Sequence, residues 1–157
     1  MSKPSARKPT TAVSGYETSV ARTAIALGLV LLGIAWIVVY VTVAHDAATF
    51  VKLGNVKPPS DPLPWMADLK NWNYLIGFGL IMLGLTVSAH RLTPLGHGRG
   101  VVIGMLGCFL LGLVWIVVFY FVGSDFAIPV MQDLGQFNLV VGIAFMAVGF
   151  TFATKWE

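Results

Sequence analysis

Residues 31–39 read LLGIAWIVV, and residues 110–118 read LLGLVWIVV. A second pair of segments also repeats: residues 66–69 read MADL and are followed by Asn73, whereas residues 131–134 read MQDL and are followed by Asn138. Internal repeats indicate that one structural unit occurs more than once. Because both copies are strongly apolar, we predict that the repeated unit is a pair of membrane-spanning helices.

The composition is that of a membrane protein. The chain has 157 residues, of which 11% are charged, and its mean hydropathy is +0.81. A soluble domain usually carries about 25% charged residues. The apolar residues are concentrated in four runs without Asp, Glu, Lys, Arg or His. These runs are approximately 23–44, 73–89, 101–122 and 138–154.

The lengths of these runs fit membrane-spanning helices. The first and third have 22 residues each, or about 33 Å of helix. The second and fourth have 17 residues each, or about 26 Å, which is short for a hydrocarbon core of about 30 Å. The first run exceeds the usual apolar core of a signal peptide, so we expect a true span rather than a cleaved leader.

The basic residues predict the orientation. Seven Lys and Arg residues lie in the N-terminal tail, the middle turn and the C-terminal stub, against three in the two other loops. Because cytoplasmic loops carry an excess of Lys and Arg, both termini should be cytoplasmic. The predicted fold class is therefore all-α integral membrane, with four transmembrane helices forming two parallel-repeat helical hairpins.

This topology divides the chain into four parts. We predict a disordered basic cytoplasmic tail at 1–22, a first two-span unit at 23–91, a cytoplasmic linker at 92–100 and a second two-span unit at 101–157. The cations of the tail are Lys3, Arg7, Lys8 and Arg22. They could contact anionic lipid, at about 1 kcal/mol each, or an acidic cytoplasmic protein, and the sequence leaves both interpretations open.

The sequence does not indicate an enzyme. The four runs hold no Asp, Glu, Lys, Arg or His, although catalysis or proton transport within a membrane usually requires at least one of these residues. The sequence contains no GxSxG, P-loop or HExxH motif. We therefore predict no catalytic residue, no cofactor and no metal site. The basic residues lie at the membrane edges, so no nucleic acid is expected as a partner.

Small residues recur on one face of the second and fourth runs. Steps of four and seven residues place each set on a single helical face. We predict that this face packs against another helix, within a hairpin or between hairpins, and a groove for a partner protein remains the alternative. The recurring positions are Asn73, Gly77 and Gly84, and Asn138, Gly142 and Gly149.

Two tryptophans lie deeper than membrane-interface anchors usually do. Trp36 and Trp115 follow Gly33 and Gly112 by three residues, so each ring lies beside a glycine on one helical face. Helix packing inside the protein and contact with another membrane protein are both compatible with this pattern.

The segment 65–74, WMADLKNWNY, resembles the signature of the CrgA family of actinobacterial cell-division membrane proteins. The positions that carry this interfacial motif are Trp65, Met66, Leu69, Trp72, Asn73 and Tyr74. The basic N-terminal segment and Lys155-Trp156 are also similar to that family. Typical members have two spans, so this chain resembles two members fused in tandem. The second copy departs from the motif, with Val130, Phe137 and Leu139 in place of Trp65, Trp72 and Tyr74.

The resemblance implies a non-catalytic adaptor in the plasma membrane, at the division septum. Such an adaptor would bind septal peptidoglycan-synthesis and divisome proteins and influence assembly of the FtsZ ring. Membrane lipids would be further partners, and association with other copies of the chain remains open. Two alternatives are a small four-span transporter or channel, and an accessory subunit of another envelope complex.

Overall fold

The computed structural model describes residues 18–51, 57–122 and 128–155, and every regular element within these ranges is helical. The all-α prediction is therefore confirmed for the described residues. The elements are α1 (Val20–Val39), a π-helical turn (Tyr40–Ala44), α2 (His45–Thr49), α3 (Pro64–Leu69), α4 (Trp72–Ser88), α5 (Arg99–Val122), α6 (Pro129–Leu134) and α7 (Phe137–Ala153).

The first apolar run forms one continuous helix of 30 residues, Val20–Thr49. It begins at an N-cap, where the Ser19 hydroxyl accepts a hydrogen bond from the backbone N–H of Arg22 at 3.4 Å. The helix passes through the π-helical turn and extends beyond the predicted end of the run. Tyr40 and Ala44, the first and last residues of this turn, are both buried against the rest of the protein.

Within the described residues, two helices are long and apolar enough to cross a membrane, namely Val20–Thr49 and Arg99–Phe121. Helices α4 and α7 are also apolar but have 17 residues each. At 1.5 Å per residue each is about 26 Å long, as the sequence predicts. That all four helices cross the membrane stays a prediction.

The long helices associate in two antiparallel pairs. Helix α1 packs along α4, and α5 packs along α7. The direction follows from the contacts, because Gly33 meets Gly77 near the middle of α1 while Ala26, near its start, meets Gly84 late in α4. The two pairs meet where α4 contacts α7, around a core that contains Ile81 and Phe145.

The short helices α3 and α6 were not predicted from the sequence. Each begins with a proline at its first or second position, Pro64 in α3 and Pro129 in α6. A proline fixes φ near its helical value and lacks the N–H that would be unpaired there, so it favours a helix start. Each helix is followed by a residue with positive φ, Lys70 at 46° and Gly135 at 47°. The two loops therefore reverse direction in the same way.

Candidate functional site

The two helical pairs are held together by close backbone contact at glycines. In the first pair, a Cβ atom added to Gly33 would lie 2.5 Å from the Gly77 carbonyl oxygen, and one added to Gly77 would collide with the Ile37 side chain. In the second pair, a Cβ on Gly112 would lie 2.5 Å from the Gly142 carbonyl oxygen. Small residues permit this close approach of helices in membranes.

A second glycine contact lies one to two turns further along each pair. Gly84 faces the Ala26 carbonyl oxygen, with an added Cβ 2.7 Å away. Gly149 faces the Phe109 ring, with an added Cβ 3.1 Å away. The structure thus places the recurring glycines between the helices of one pair, rather than at the contact between pairs.

Asn73 and Asn138 are fully buried and make the same two hydrogen bonds. The Asn73 amide nitrogen donates to the Met66 carbonyl at 2.7 Å and to the Lys70 carbonyl at 2.9 Å. The Asn138 amide nitrogen donates to the carbonyls of Met131 and Gly135, both at 2.8 Å. The last carbonyls of a helix lack intrahelical partners. Each Asn therefore closes the C-terminal end of the short helix before it.

This role differs from the two roles that such an amide commonly has. A polar side chain at a helix start often caps its own helix or hydrogen-bonds to a neighbouring helix. Because the chain reverses at Lys70 and Gly135, the preceding short helix lies within reach of the amide instead.

The two tryptophans occupy different environments. The Trp36 ring lies 5.7 Å from the Trp65 ring, within the first repeat. The Trp115 ring packs edge-on against Phe78 at 5.4 Å and so connects the second helical pair to the first. The indole nitrogens of both are buried without a hydrogen-bond partner, as are the amide oxygens of Asn73 and Asn138.

The polar contact between the two repeats is centred on Asp133. One carboxylate oxygen of Asp133 lies 2.8 Å from His45 Nε2 and accepts a hydrogen bond from the Tyr74 hydroxyl at 2.8 Å. The side chains of His45 and Asp133 are 16% and 19% exposed. The Asn71 amide adds a bond of 3.3 Å to the Asp133 carbonyl oxygen. Asp68, at the aligned position in the first repeat, is exposed.

Sequence reasoning did not find this contact. The sequence feature that could have indicated it is the negative charge of the second outer loop, which holds Asp125 and Asp133 but no basic residue. A half-buried carboxylate needs a partner, and the partner had to come from another part of the chain. Nothing in the sequence indicates that His45 and Tyr74 lie nearest.

The interfacial motif is divided between the interior and the surface. Met66, Asn73 and Tyr74 are buried, and Leu69 is half-buried. Trp65 and Trp72 are 51% and 66% exposed. The tryptophans are therefore the members of the motif that can contact lipid or another protein.

The basic tail lies mostly outside the described residues. Lys3, Arg7 and Lys8 belong to that part, whereas Arg22 is in the first turn of α1. Nη1 of Arg22 lies 2.9 Å from Nδ1 and 2.8 Å from Nε2 of His90. Partial desolvation and the cations Arg22, Arg91 and Lys155 lower the pKa of His90.

Within the described ranges, no group of three or more His, Cys, Asp and Glu side chains is arranged to hold a metal ion. The one cysteine, Cys108, is a buried free thiol in the core between α5 and α7.

The fold and these contacts define a small helical membrane-associated protein. The glycine contact between Gly33 and Gly77 in its first helical pair recurs between Gly112 and Gly142 in its second. The sequence model of the cell division protein CrgA family matches residues 1–90 and 95–157. The chain therefore belongs to the CrgA family, and this membership supports a role in cell division.

Several relatives carry the name cell division protein CrgA. The protein from Streptomyces avermitilis is 47% identical over 53 residues, which cover 34% of this chain and 60% of the relative. The protein from Corynebacterium aurimucosum is 42% identical over 53 residues, 34% of this chain and 56% of the relative. The chain thus spans less than two thirds of these two relatives.

A longer match of lower identity is found with the protein from Mycobacterium sp. (strain KMS). It is 33% identical over 87 residues, which cover 54% of this chain and 80% of the relative. No solved structure matches the chain significantly.

Proposed function

We propose that this protein is a four-span, non-catalytic adaptor of the division machinery, which binds other membrane proteins through the outer faces of its long helices. In this proposal the protein lies in the plasma membrane at the septum, with both termini in the cytoplasm. Its partners are divisome proteins and septal peptidoglycan synthases, and through them it influences assembly of the FtsZ ring. The membership of the CrgA family supports this proposal.

The observation that carries the proposal is the exposed apolar surface of α1 and α5. Leu31 and Leu110 stand at aligned positions of the two repeats, and their side chains are 56% and 59% exposed. Large exposed apolar patches mark protein-protein or membrane contact. Because glycine contacts hold the inner faces of these helices against α4 and α7, the outer faces are left for lipid and for the helices of partners.

The division of the chain into units belongs to the same proposal. We take 1–22 as the cytoplasmic tail, 23–91 as the first two-span unit, 92–100 as the linker and 101–157 as the second unit. The separate family matches to 1–90 and 95–157 support a tandem arrangement. The matching Gly33–Gly77 and Gly112–Gly142 contacts support it independently.

The function is tested by imaging and site-specific cross-linking in dividing actinobacterial cells. A fluorescent fusion of the full chain should concentrate at the septum. A photoreactive residue at Leu110 should capture septal membrane proteins, whereas the same residue at the buried Ile81 should capture few. A uniform distribution around the membrane, or equal capture from both positions, would contradict the proposal.

The orientation is tested by labelling single cysteines with a membrane-impermeant reagent in cells of a Cys108→Ala variant. Ser60 lies in the first outer loop and Leu92 in the turn between the pairs, and both are exposed. Ser60→Cys should be labelled from outside, and Leu92→Cys should be labelled only after the membrane is opened. Labelling of Leu92→Cys in intact cells would overturn the cytoplasmic placement of the turn.

A further inference from the structure

A cleft of about 270 Å³ lies between α1 and α4, close to the turn that connects the two helical pairs. Its walls include Ala26, Leu27 and Val30 of α1, Leu85 of α4 and Leu95 of the turn. These side chains are hydrocarbon, and the cleft is several times larger than the roughly 30 Å³ of one water molecule.

The hydroxyl groups in the walls do not make the cleft polar. The Thr23 hydroxyl donates to the Ser19 carbonyl at 3.1 Å, and the Ser88 hydroxyl donates to the Leu85 carbonyl at 2.6 Å. The Thr93 hydroxyl is within hydrogen-bond distance of the Ser88 and His90 carbonyls. Since each hydroxyl proton is already used within the protein, the cleft suits a hydrocarbon chain better than a polar solute.

Three cations lie near His90, in the turn whose residues Thr93, Pro94 and Leu95 line the cleft. Arg22 precedes the lining residue Thr23 and contacts His90, and Arg91 and Lys155 are close enough to affect the same imidazole. All three are exposed. A guanidinium has five N–H donors, so the contact with His90 leaves donors of Arg22 free for a ligand.

No described carboxylate neutralises these cations. The described salt bridges involve His45 with Asp46 and Asp133, at the opposite end of the helices. The remaining described acids, Asp61 and Asp68, also lie in the first outer loop and its short helix. Glu17 and Glu157 lie outside the described residues.

We propose that this cleft binds one anionic phospholipid, with an acyl chain between α1 and α4 and the phosphate held by Arg22, Arg91 and Lys155. Basic pockets between helices on the cytoplasmic side of a membrane suit such headgroups. Charge-assisted bonds from a guanidinium to phosphate are among the stronger hydrogen bonds in proteins. The inference rests on the membrane placement proposed above. Membrane insertion is therefore measured separately from lipid binding in the experiment below.

The residue aligned with Val30 in the second repeat suggests a substitution that would fill the cleft. Val30 aligns with Phe109, and each faces a glycine of the opposite helix, Gly84 and Gly149 respectively. The Phe109 ring packs 5.0 Å from the Phe150 ring between α5 and α7. Val30→Phe should therefore place a ring where the acyl chain is proposed to lie, in a manner that the chain already accommodates in its other half.

The experiment measures binding of spin-labelled phosphatidylglycerol and spin-labelled phosphatidylcholine to the full chain in vesicles, by electron paramagnetic resonance. The wild type should prefer phosphatidylglycerol. Each of Arg22→Gln, Arg91→Gln and Lys155→Gln should lower the preference about fivefold. Val30→Phe should reduce the immobilised lipid fraction. Lys57→Gln, an exposed cation of the opposite loop, should leave both quantities unchanged.

Three outcomes would overturn the lipid site. The first is a preference for phosphatidylglycerol that survives removal of all three cations. The second is an unchanged fraction of immobilised lipid in Val30→Phe, which would indicate attraction to surface charge alone. The third is full competition by inorganic phosphate, which would indicate a site for free anions. Carbonate extraction of every variant reports insertion, so failure of the membrane placement would be seen independently of lipid preference.

Discussion

At the scale of single residues, Asp133 breaks the symmetry of the repeat. Its carboxylate joins α6 of the second unit to His45 and Tyr74 of the first. Asp68 has the same place in the first unit but is exposed. The second unit has Leu139 where the first has Tyr74, so it lacks the hydroxyl that would hold Asp68 in the same way.

Replacing Asp133 by alanine should destabilise the contact between the units. The change leaves the buried hydroxyl of Tyr74 and the half-buried imidazole of His45 without their shared acceptor, which costs about 1–3 kcal/mol. Asp68→Ala is the matched control and should change the free energy of unfolding by less than about 0.5 kcal/mol. The measurement is detergent-induced unfolding in micelles, followed by circular dichroism. Equal effects of the two variants would remove the special role assigned to Asp133.

The imidazole of His90 should titrate below its ordinary pKa of 6.5, because desolvation and the nearby cations disfavour its charged form. The unfolded chain therefore binds a proton more readily as the pH falls below 6.5. Stability should decrease between that pH and the lower pKa of the folded state, and then level off. Arg22→Gln should raise the pKa measured by NMR titration. An unchanged value would show that Arg22 does not act on this group.

At the scale of helices, glycine positions decide how each pair packs. Gly33, Gly77, Gly112 and Gly142 lie where helix backbones touch. Gly28 and Gly107 are on the same long helices, but an added Cβ at either would meet nothing within 4 Å. The number of glycines in a helix therefore does not identify its contact face. That face is identified by the position of the neighbouring helix.

Gly112→Ala should separate α5 from α7, because the new methyl group would lie 2.5 Å from the Gly142 carbonyl oxygen. Overpacking of this kind costs about 1–3 kcal/mol. Gly107→Ala places the same methyl group on the same helix in open space and should be neutral or slightly stabilising, since alanine is the better helix former. Thermal unfolding of the two variants in micelles compares them directly. A Gly112→Ala variant as stable as the wild type would contradict the close contact.

At the scale of the whole molecule, two helical pairs are connected in one chain through the turn that precedes α5. The pairs touch through α4 and α7, through the contact of Phe78 with Trp115, and through Asp133. Covalent connection makes this association intramolecular, with an effective concentration in the millimolar range for a short linker. The contact between pairs can therefore be weaker than a contact between separate chains.

Dividing the chain between Arg91 and Arg99 tests this arrangement. We expect the two halves, coexpressed in one membrane, to associate through the α4–α7 contact and to copurify. Asp133→Ala should reduce copurification of the separate halves more than it reduces the stability of the connected chain, because the link no longer compensates. Halves that show no affinity for each other would indicate that the connection alone holds the pairs together.

The helical class, the duplicated segments and the apolar character of the long helices follow from the sequence alone, because hydropathy and repetition are properties of local segments. The sequence also indicated which faces carry Gly77, Gly142 and the two asparagines. What each of these faces contacts is seen first in the folded protein. The amides of Asn73 and Asn138 donate hydrogen bonds to the short helices α3 and α6, which no apolar run predicts. Asp133 of the second repeat contacts His45 of the first. Such contacts depend on where the chain reverses and on which helices become neighbours, which are properties of the assembled fold rather than of any one segment.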